Sequence, residues 1–132
     1  MKILSESLLE IIRKTNNIVL ATHANPDGDA LGSLIGLADT LEAMGKQVFR
    51  YLEEPVSHLY DFLPDTSLMQ TKISALQDFL RHAGDDILCI SLDCGDRKRL
   101  GENADELMNI RPFMVIDHHT NNNGFGNLAW ID

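Results

Sequence analysis

The chain contains the run Ile18-Val-Leu-Ala-Thr-His-Ala-Asn-Pro-Asp-Gly-Asp-Ala30, in which a short apolar stretch leads into a polar loop. Residues 18–22 are apolar enough for a strand that is buried on both faces, as strands of parallel sheets are. Over residues 29–44, apolar side chains recur at helical spacing, and Gly45 is a typical C-terminal stop. The run therefore predicts a strand, a polar loop and a helix in that order.

The rest of the chain continues this alternation of helices and strands. Apolar spacing predicts an amphipathic helix over 3–14, and the less clear segment 56–65 is expected to hold one short helical turn before Pro64. Further helices are predicted over 73–82 and 103–109, and further strands over 48–52, 87–92 and 113–116, the last of which is expected to be the final strand. This order predicts an α/β fold, a parallel sheet flanked by helices on both faces.

The composition fits a globular domain. The chain has 132 residues, of which 44% are hydrophobic, so it is expected to be one domain or an incomplete piece of a larger protein. With 11 basic against 20 acidic residues the formal net charge is -9, which excludes a broad basic surface for nucleic acid. Two cysteines are too few for a disulfide framework, which favours a reduced, cytoplasmic setting. Because no apolar run approaches the ~20 residues that span a bilayer, no membrane association is expected.

Acidic and imidazole side chains follow three of the predicted strands. The first strand leads into His23, Asp27 and Asp29, the third ends at Asp93, and the last ends in Asp117-His-His119. Because the carboxyl ends of parallel strands share one edge of a sheet, these seven side chains are expected to converge. Packing the carboxylates among them together costs about 1 kcal/mol per pair at 4 Å even in water, so a cation is expected to offset their repulsion. Mixed imidazole and carboxylate ligands suit manganese, cobalt, iron or zinc better than calcium.

The spacing of the acidic residues favours two metal ions. Asp27 and Asp29 flank Gly28, so their side chains can diverge towards two neighbouring positions instead of chelating one ion. In two-metal sites about 3.5–4 Å across, one carboxylate commonly bridges the ions. Asp93, at the tip of a central strand, is the candidate for that bridge.

The adjacent histidines are expected to have different roles. Successive side chains of an extended segment point in opposite directions, so His118 and His119 cannot easily bind the same ion. We expect His118 to be a metal ligand and His119 to face the substrate as a proton donor or phosphate contact. Asp117 is expected to hold an imidazole ring in its orientation without binding the metal itself.

Each of these features has a simpler interpretation when taken alone. An Asp-Gly-Asp sequence is most often a turn with a helix cap, and Asp93 could cap the segment that follows it. Asp96 is interpreted as such a cap. A lone pair of histidines is usually solvated or structural. The coincidence of three such motifs at strand ends of one sheet is what favours a metal site.

The other chemically active side chains give weaker signals. Arg99, in the basic run 97–99, is a candidate contact to a substrate phosphate, with an ordinary solvated run as the alternative. Exposure to solvent or ordinary packing is expected for His58, His82, Cys89, Cys94 and Trp130. Stacking on a nucleobase is the alternative for the tryptophan.

Three motifs carry a resemblance to a known family. The first three motifs of the DHH phosphoesterase superfamily are similar to His23-Ala-Asn-Pro-Asp-Gly-Asp-Ala-Leu-Gly-Ser33, Leu92-Asp-Cys-Gly-Asp96 and Val115-Ile-Asp-His-His119. The loop after the third motif in the nanoRNase/pAp phosphatase branch, which is RecJ-like, resembles His119-Thr-Asn-Asn-Asn-Gly-Phe-Gly126, with Asn122 at the matching asparagine. The resemblance implies an N-terminal α/β DHH domain that binds two divalent ions, Mn²⁺ being expected, and a DHHA1-type domain that helps to hold a nucleotide.

The resemblance also implies an assignment of ligands. Positions matching His23 and Asp27 bind one metal in the family, and those matching Asp29 and His118 bind the other, while the position of Asp93 bridges. A fourth motif, with a further Asp ligand, and the second domain would lie beyond residue 132. Residues 1–132 are therefore expected to be a catalytic DHH domain truncated before both, with weak or no turnover of its own.

The expected activity of the full-length protein is hydrolysis of a phosphoester in a short oligoribonucleotide or in pAp. A family II-like inorganic pyrophosphatase is one alternative, which the helix predicted before the first strand weakens. A RecJ-type exonuclease, a cyclic-dinucleotide phosphodiesterase and a non-catalytic metal-binding fragment are the others. A short RNA or nucleotide phosphoester is the expected partner, and a homodimer of the full-length protein stays open.

Overall fold

The computed structural model describes residues 5–117, 126 and 128–131 of the chain. The helices are α1 (Glu6–Lys14), α2 (Gly28–Ala43), α3 (Ile73–Ala83) and α4 (Ala104–Met108). The strands are β1 (Asn17–Thr22), β2 (Gln47–Arg50), β3 (Leu88–Leu92), β4 (Phe113–Asp117) and β5 (Leu128–Ile131). Short 3-10 turns lie at His58–Tyr60, Thr66–Leu68 and Arg97–Leu100. Each predicted helix and strand is present within the described residues, with small shifts at the ends, and residues 3 and 4 of the first predicted helix lie outside those residues. The first 3-10 turn is the helical turn expected before Pro64.

The strands form one parallel sheet in the order β2-β1-β3-β4-β5. This arrangement confirms the predicted α/β fold. The expectation that the strand at 113–116 is the last was wrong, because β5 pairs with β4 at the edge of the sheet. A four-residue strand shows too little periodicity to be recognised by itself, and its pairing with β4 is a long-range contact.

Helices cover both faces of the sheet, as predicted. On one face, Ile18, Leu20 and Ile90 belong to a buried cluster that includes Leu8 of α1 and Leu34 of α2. On the other face, alternate strand residues form a second buried cluster with side chains of α3 and α4: Val19, Ala21, Cys89, Val115, Leu76 and Leu107. Since successive residues of a strand point to opposite faces, each central strand contributes to both clusters.

Helix α2 begins at the carboxyl edge of the sheet, directly after the loop that follows β1. Asp27 is its N-cap and accepts a 2.9 Å hydrogen bond from the backbone N of Ala30 through Oδ1. The helix buries Leu31, Leu34 and other apolar residues against the sheet. The cap and the apolar stripe together fix the start of α2 beside the end of β1.

Most of the side chains expected to be unremarkable lie as predicted. His58 and His82 are exposed, whereas Cys89 and Cys94 are buried and free. The Trp130 side chain lies outside what the structure describes. Within the described ranges, none of the helices has both the length and the apolar character needed to cross a bilayer.

Candidate metal centre

The centre is built where two neighbouring strands end. Strands β1 and β3 pair in parallel with Thr22 opposite Leu92, so the residues that follow them, His23 and Asp93, lie side by side. The Nε2 atom of His23 lies 3.8 Å from Oδ2 of Asp93. Both side chains are largely buried, with 7% and 9% of their surface exposed. The sheet register therefore places an imidazole and a carboxylate in one sheltered position.

Asp27, which is exposed, brings a second carboxylate close to these two groups. One ligand atom each from His23, Asp27 and Asp93 lies within 4.8 Å of the other two. The capping bond of Asp27 uses only Oδ1, and a carboxylate has a second oxygen with its own lone pairs. Asp27 is thus the helix cap of the simpler interpretation and also one of three converging ligand-type groups.

The hydrogen bonding of His23 fixes which ring nitrogen faces the carboxylates. Its Nδ1 lies 2.8 Å from the carbonyl oxygen of Ala24, which can only accept a hydrogen bond. Nδ1 must therefore carry the hydrogen, which leaves the lone pair of the neutral ring on Nε2, the atom directed at Asp93. A backbone carbonyl on the far nitrogen is the usual support of a metal-binding histidine.

Asp93 adopts an uncommon backbone conformation at the tip of β3. Its φ angle is +54°, in the left-handed region that Asp and Asn tolerate better than other non-glycine residues. Its backbone N donates a 3.1 Å hydrogen bond to the carbonyl oxygen of Ile116 in β4. The chain turns sharply after Leu92, and this turn holds the Asp93 carboxylate at the sheet edge.

Main-chain hydrogen bonds position the loop between β1 and α2. The backbone N of Ala24 donates a 2.6 Å bond to the carbonyl oxygen of Arg99. Beneath it, the buried Thr22 hydroxyl donates a 2.7 Å bond to the carbonyl oxygen of Leu92. The loop that carries His23 and Asp27 is therefore tied to the chain on both sides of Asp93.

These three residues fit a divalent cation. Ligand atoms at about 2.0–2.2 Å from one ion lie roughly 3–4 Å from each other. Shifts of less than about 1 Å would therefore bring the three ligand atoms to binding distance of one ion. One imidazole nitrogen and two carboxylates form a mixed donor set, which suits a transition-metal ion or zinc better than Ca²⁺. The two neighbouring carboxylates also favour a positive charge between them.

The other predicted site residues lie around this group or outside the described residues. Asp29 is exposed in the first turn of α2 and is not one of the three converging residues. Asp117 ends β4 and is buried, with 3% of its surface exposed. His118 and His119 lie outside the described residues.

The basic run 97–99 forms a 3-10 turn and supports the centre through its main chain. Asp96 caps the 3-10 turn at Arg97–Leu100 by accepting a 3.1 Å hydrogen bond from the backbone N of Arg99, as interpreted from the sequence. Arg97 forms an ion pair with Asp105. The Arg99 side chain is exposed, and its main chain supports the loop of the centre through Ala24. That main-chain role had no signal in the sequence, because any residue type can supply a carbonyl oxygen.

Cys94 lies beneath the centre as a packed thiol. Its Sγ donates a 3.2 Å hydrogen bond to the carbonyl oxygen of Asp96. Burial raises the pKa of this thiol to about 11; its hydrogen bonds oppose that shift to a smaller extent, and the nearby carboxylates add to it. It is therefore protonated at neutral pH, in agreement with the packing role expected from its spacing to Cys89.

Tyr60, which no sequence pattern marks, lies beside the start of α2. A Cβ atom at Gly28 would lie 3.3 Å from Cε1 of the Tyr60 ring, so the glycine allows the ring to come close. The tyrosine comes from the 3-10 turn His58–Tyr60, which has no periodic pattern. Gly28, between two acidic residues, is the one sequence feature that indicates a close approach of another group to this loop.

Comparisons with known proteins give a consistent result. The bifunctional oligoribonuclease and PAP phosphatase NrnA of Thermus thermophilus is 31% identical over 116 residues, covering 87% of this chain and 32% of that protein. The cyclic-di-AMP phosphodiesterase GdpP of Bacillus subtilis is 24% identical over 124 residues, covering 89% of this chain and 18% of that protein. This chain thus spans about a third or less of the length of these relatives.

A solved structure has the same fold. The crystal structure of an exopolyphosphatase-related protein from Bacteroides fragilis superposes with a TM-score of 0.85 at 21% identity, covering 99% of this chain and 40% of that one. A family model described as "DHH family, N-terminal domain" matches residues 17–131. This range contains the three motifs quoted from the sequence, and the NrnA relatives agree with the resemblance to the nanoRNase branch. The chain therefore belongs to the DHH family and matches the N-terminal domain of that family.

Proposed function

We propose that this chain is the metal-binding catalytic domain of a phosphoesterase that hydrolyses short oligoribonucleotides or pAp. The observation that carries the proposal is the convergence of His23, Asp27 and Asp93 at the carboxyl edge of the sheet. The NrnA relatives, named as oligoribonucleases and PAP phosphatases, support the choice of substrate class. The proposal places the protein in the cytoplasm, in keeping with its two free, buried cysteines.

Two divalent ions, with Mn²⁺ as the expected metal, form part of the proposal. His23, Asp27 and Asp93 would hold the first, while Asp29, Asp93 and His118 would hold the second. Bound there, the ions would supply positive charge for the phosphoryl oxygens and acidify a water molecule. The chain has a net charge of -9, so without such cations its acidic sheet edge would repel a phosphate.

The side chains of the protein would do the rest of the chemistry. The Ala24 carbonyl holds the imidazole of His23 in one orientation, so Nε2 does not have to reorganise when a ligand binds. His119 would donate a proton to the departing oxygen, and Asp117 would orient an imidazole. Arg99, whose guanidinium is exposed, would contact a phosphate of the substrate.

Hydrolysis of a cyclic dinucleotide is the second candidate function. It is favoured by the similarity to the cyclic-di-AMP phosphodiesterase GdpP. The cleaved bond is a phosphodiester in a cyclic dinucleotide and in an oligoribonucleotide alike, so the same centre would serve both. The choice between a linear and a cyclic substrate would depend on groups outside the three converging residues.

The test compares substrates on the intact protein that contains this chain. Initial rates are measured with Mn²⁺ on a short oligoribonucleotide, pAp, cyclic di-AMP and inorganic pyrophosphate. We expect hydrolysis of the oligoribonucleotide and pAp, loss of this activity with excess EDTA, and recovery when Mn²⁺ is restored. Full activity after exhaustive chelation would disprove metal dependence, and faster release of phosphate from pyrophosphate would favour a pyrophosphatase.

The two adjacent histidines are expected to respond differently to replacement. His118→Ala should weaken Mn²⁺ binding at least about tenfold, because it removes an assigned ligand. His119→Ala should leave Mn²⁺ binding unchanged and lower kcat about 10²- to 10⁴-fold, the usual contribution of a general acid. Calorimetric titration with Mn²⁺ and steady-state kinetics measure the two effects. If His119→Ala lost metal first, the roles would have to be exchanged.

A further inference from the structure

A cleft adjoins the candidate metal centre. It has a volume of about 260 Å³ and lies between the loop after β1, which contributes Asn25 and Pro26, and the segment after β2, which contributes Glu54, Leu59 and Tyr60. Its volume is close to the roughly 300 Å³ at which small-molecule sites begin. The cleft is therefore large enough for part of a substrate, such as one nucleoside.

The cleft and the metal centre share one loop. Asn25 and Pro26 lie between His23 and Asp27 in the chain, so the residues that line the cleft are fixed by the same loop that holds two of the converging side chains. The close approach of Tyr60 to Gly28 places the ring next to the cap of α2. The loop between β1 and α2 is thus the structural link between the metal centre and the cleft.

The turn that presents Tyr60 is held in place locally. Ser57 caps it by accepting a 3.3 Å hydrogen bond from the backbone N of Leu59, and the Ser57 carbonyl accepts a 3.0 Å bond from the N of Tyr60. Tyr60 is half-buried and packs against the core, whereas Leu59 leaves 79% of its surface exposed. The cleft thus has a fixed aromatic wall beside an apolar side chain that is largely exposed among the described residues.

The Glu54 carboxylate at the cleft favours an uncharged group over a phosphate. Glu54 is exposed at the cleft, and a carboxylate there repels a phosphate. A base or a ribose carries no charge, and its amino and hydroxyl groups can donate hydrogen bonds to a carboxylate or to the Asn25 amide oxygen. Aromatic side chains stack on bases of any sequence. The lining therefore suits a nucleoside better than a second phosphate.

We propose that this cleft binds the nucleoside next to the scissile phosphate, with Tyr60 as the surface on which its base stacks. The inference rests on the proposed function, since it assumes that the phosphate lies at the His23–Asp27–Asp93 centre. Glu54 and Asn25 bind the polar edge of the base or the ribose hydroxyls. Occupation of this cleft would favour the nucleotide substrates over inorganic pyrophosphate, which carries no nucleoside.

The test separates base stacking from support of the loop. Tyr60→Leu removes the stacking surface but keeps an apolar side chain, Tyr60→Phe keeps the surface, and Phe62→Leu makes the same aromatic-to-aliphatic change on a neighbouring ring that is 77% exposed. Each intact variant is assayed with Mn²⁺ on the dinucleotide pApA and on the same dinucleotide with one abasic ribose. Binding of adenosine 5′-monophosphate is measured by calorimetry, and thermal unfolding checks the fold.

Tyr60→Leu is expected to raise KM for pApA about 5- to 100-fold and to weaken binding of the monophosphate by a similar factor. Its kinetics on the abasic substrate should match those of the unmodified protein. Tyr60→Phe should bind the monophosphate more tightly than Tyr60→Leu, because it keeps the stacking ring, and Phe62→Leu should behave like the unmodified protein on both substrates. Equal losses on both substrates would show that Tyr60 only supports the loop, which overturns the proposal. If the unmodified protein hydrolysed neither substrate, the proposed function would be wrong, and the monophosphate titration alone would then decide whether the cleft binds a nucleoside.

Discussion

Asp93→Asn is expected to abolish most binding of Mn²⁺ and to lower phosphoesterase activity about 1,000-fold or more. The carboxylate lies 3.8 Å from the Nε2 of His23 and is assigned to both metal positions, so its charge affects both. Loss of several kcal/mol of charge stabilisation in the transition state corresponds to a change of this size. Asparagine has nearly the same shape and tolerates the φ angle of +54°, whereas alanine would add backbone strain. Calorimetric titration with Mn²⁺ and Mn²⁺-dependent hydrolysis of an oligoribonucleotide measure the two effects.

Asp65→Asn is the matched control for this variant. Asp65 also has a positive φ angle, +60°, but it is exposed and precedes the 3-10 turn Thr66–Leu68 without a side-chain capping bond. The same chemical change on the same backbone conformation should alter neither metal binding nor activity. Retention of full Mn²⁺ binding by Asp93→Asn, with thermal stability unchanged, would remove Asp93 from the centre and with it the bridging role.

The sequence predicts the fold well where the signal is local. Strand β1 and helix α2 were recognised because a buried strand is an uninterrupted apolar run and a packed helix has an apolar stripe that ends at a stop such as Gly45. The order of helices and strands then limits the topology to a parallel sheet. Strand β5 escaped recognition because its four residues are defined by their pairing with β4 and not by a pattern of their own.

The composition of the candidate centre could also be predicted in part. His23, Asp27 and Asp93 come together because they follow neighbouring parallel strands, and that consequence can be derived from the order of the strands. The supporting contacts could not be derived. The carbonyl oxygens of Ala24 and Arg99 act through the main chain, and no side-chain type marks a residue for that role.

The strand that carries Asp93 also links the centre to the core. Ile90, three residues before it, is fully buried and pairs with Leu20 in β1 and Met114 in β4. The position of the carboxylate depends on the register of three strands, and the packing of this layer maintains that register. A destabilising substitution in the middle of β3 should therefore lower the free energy of unfolding of the whole domain.

Ile90→Ala is expected to lower the free energy of unfolding by about 2–5 kcal/mol, a large part of the roughly 5–15 kcal/mol that a domain has in total. The truncation removes buried methyl groups and leaves a cavity between helices α1 and α2 and the sheet, because strands paired on both sides cannot move in to fill it. Ile90→Val removes one methyl group and should lower the free energy of unfolding by only about 0.5–1.5 kcal/mol. Urea unfolding, followed by circular dichroism, measures this free energy for the unmodified protein and for both variants.

Leu59→Ala is the surface control for this series, because that leucine is 79% exposed and the free energy of unfolding should change by no more than about 0.5 kcal/mol. The order of these free energies of unfolding tests whether Ile90 lies in the packed core. If Ile90→Ala unfolded at the same urea concentration as Leu59→Ala, the layer formed by Leu20, Ile90 and Met114 could not be the closely packed centre of the sheet. The register that brings His23 beside Asp93 would then lack its main support, since the two side chains belong to strands held together through that layer.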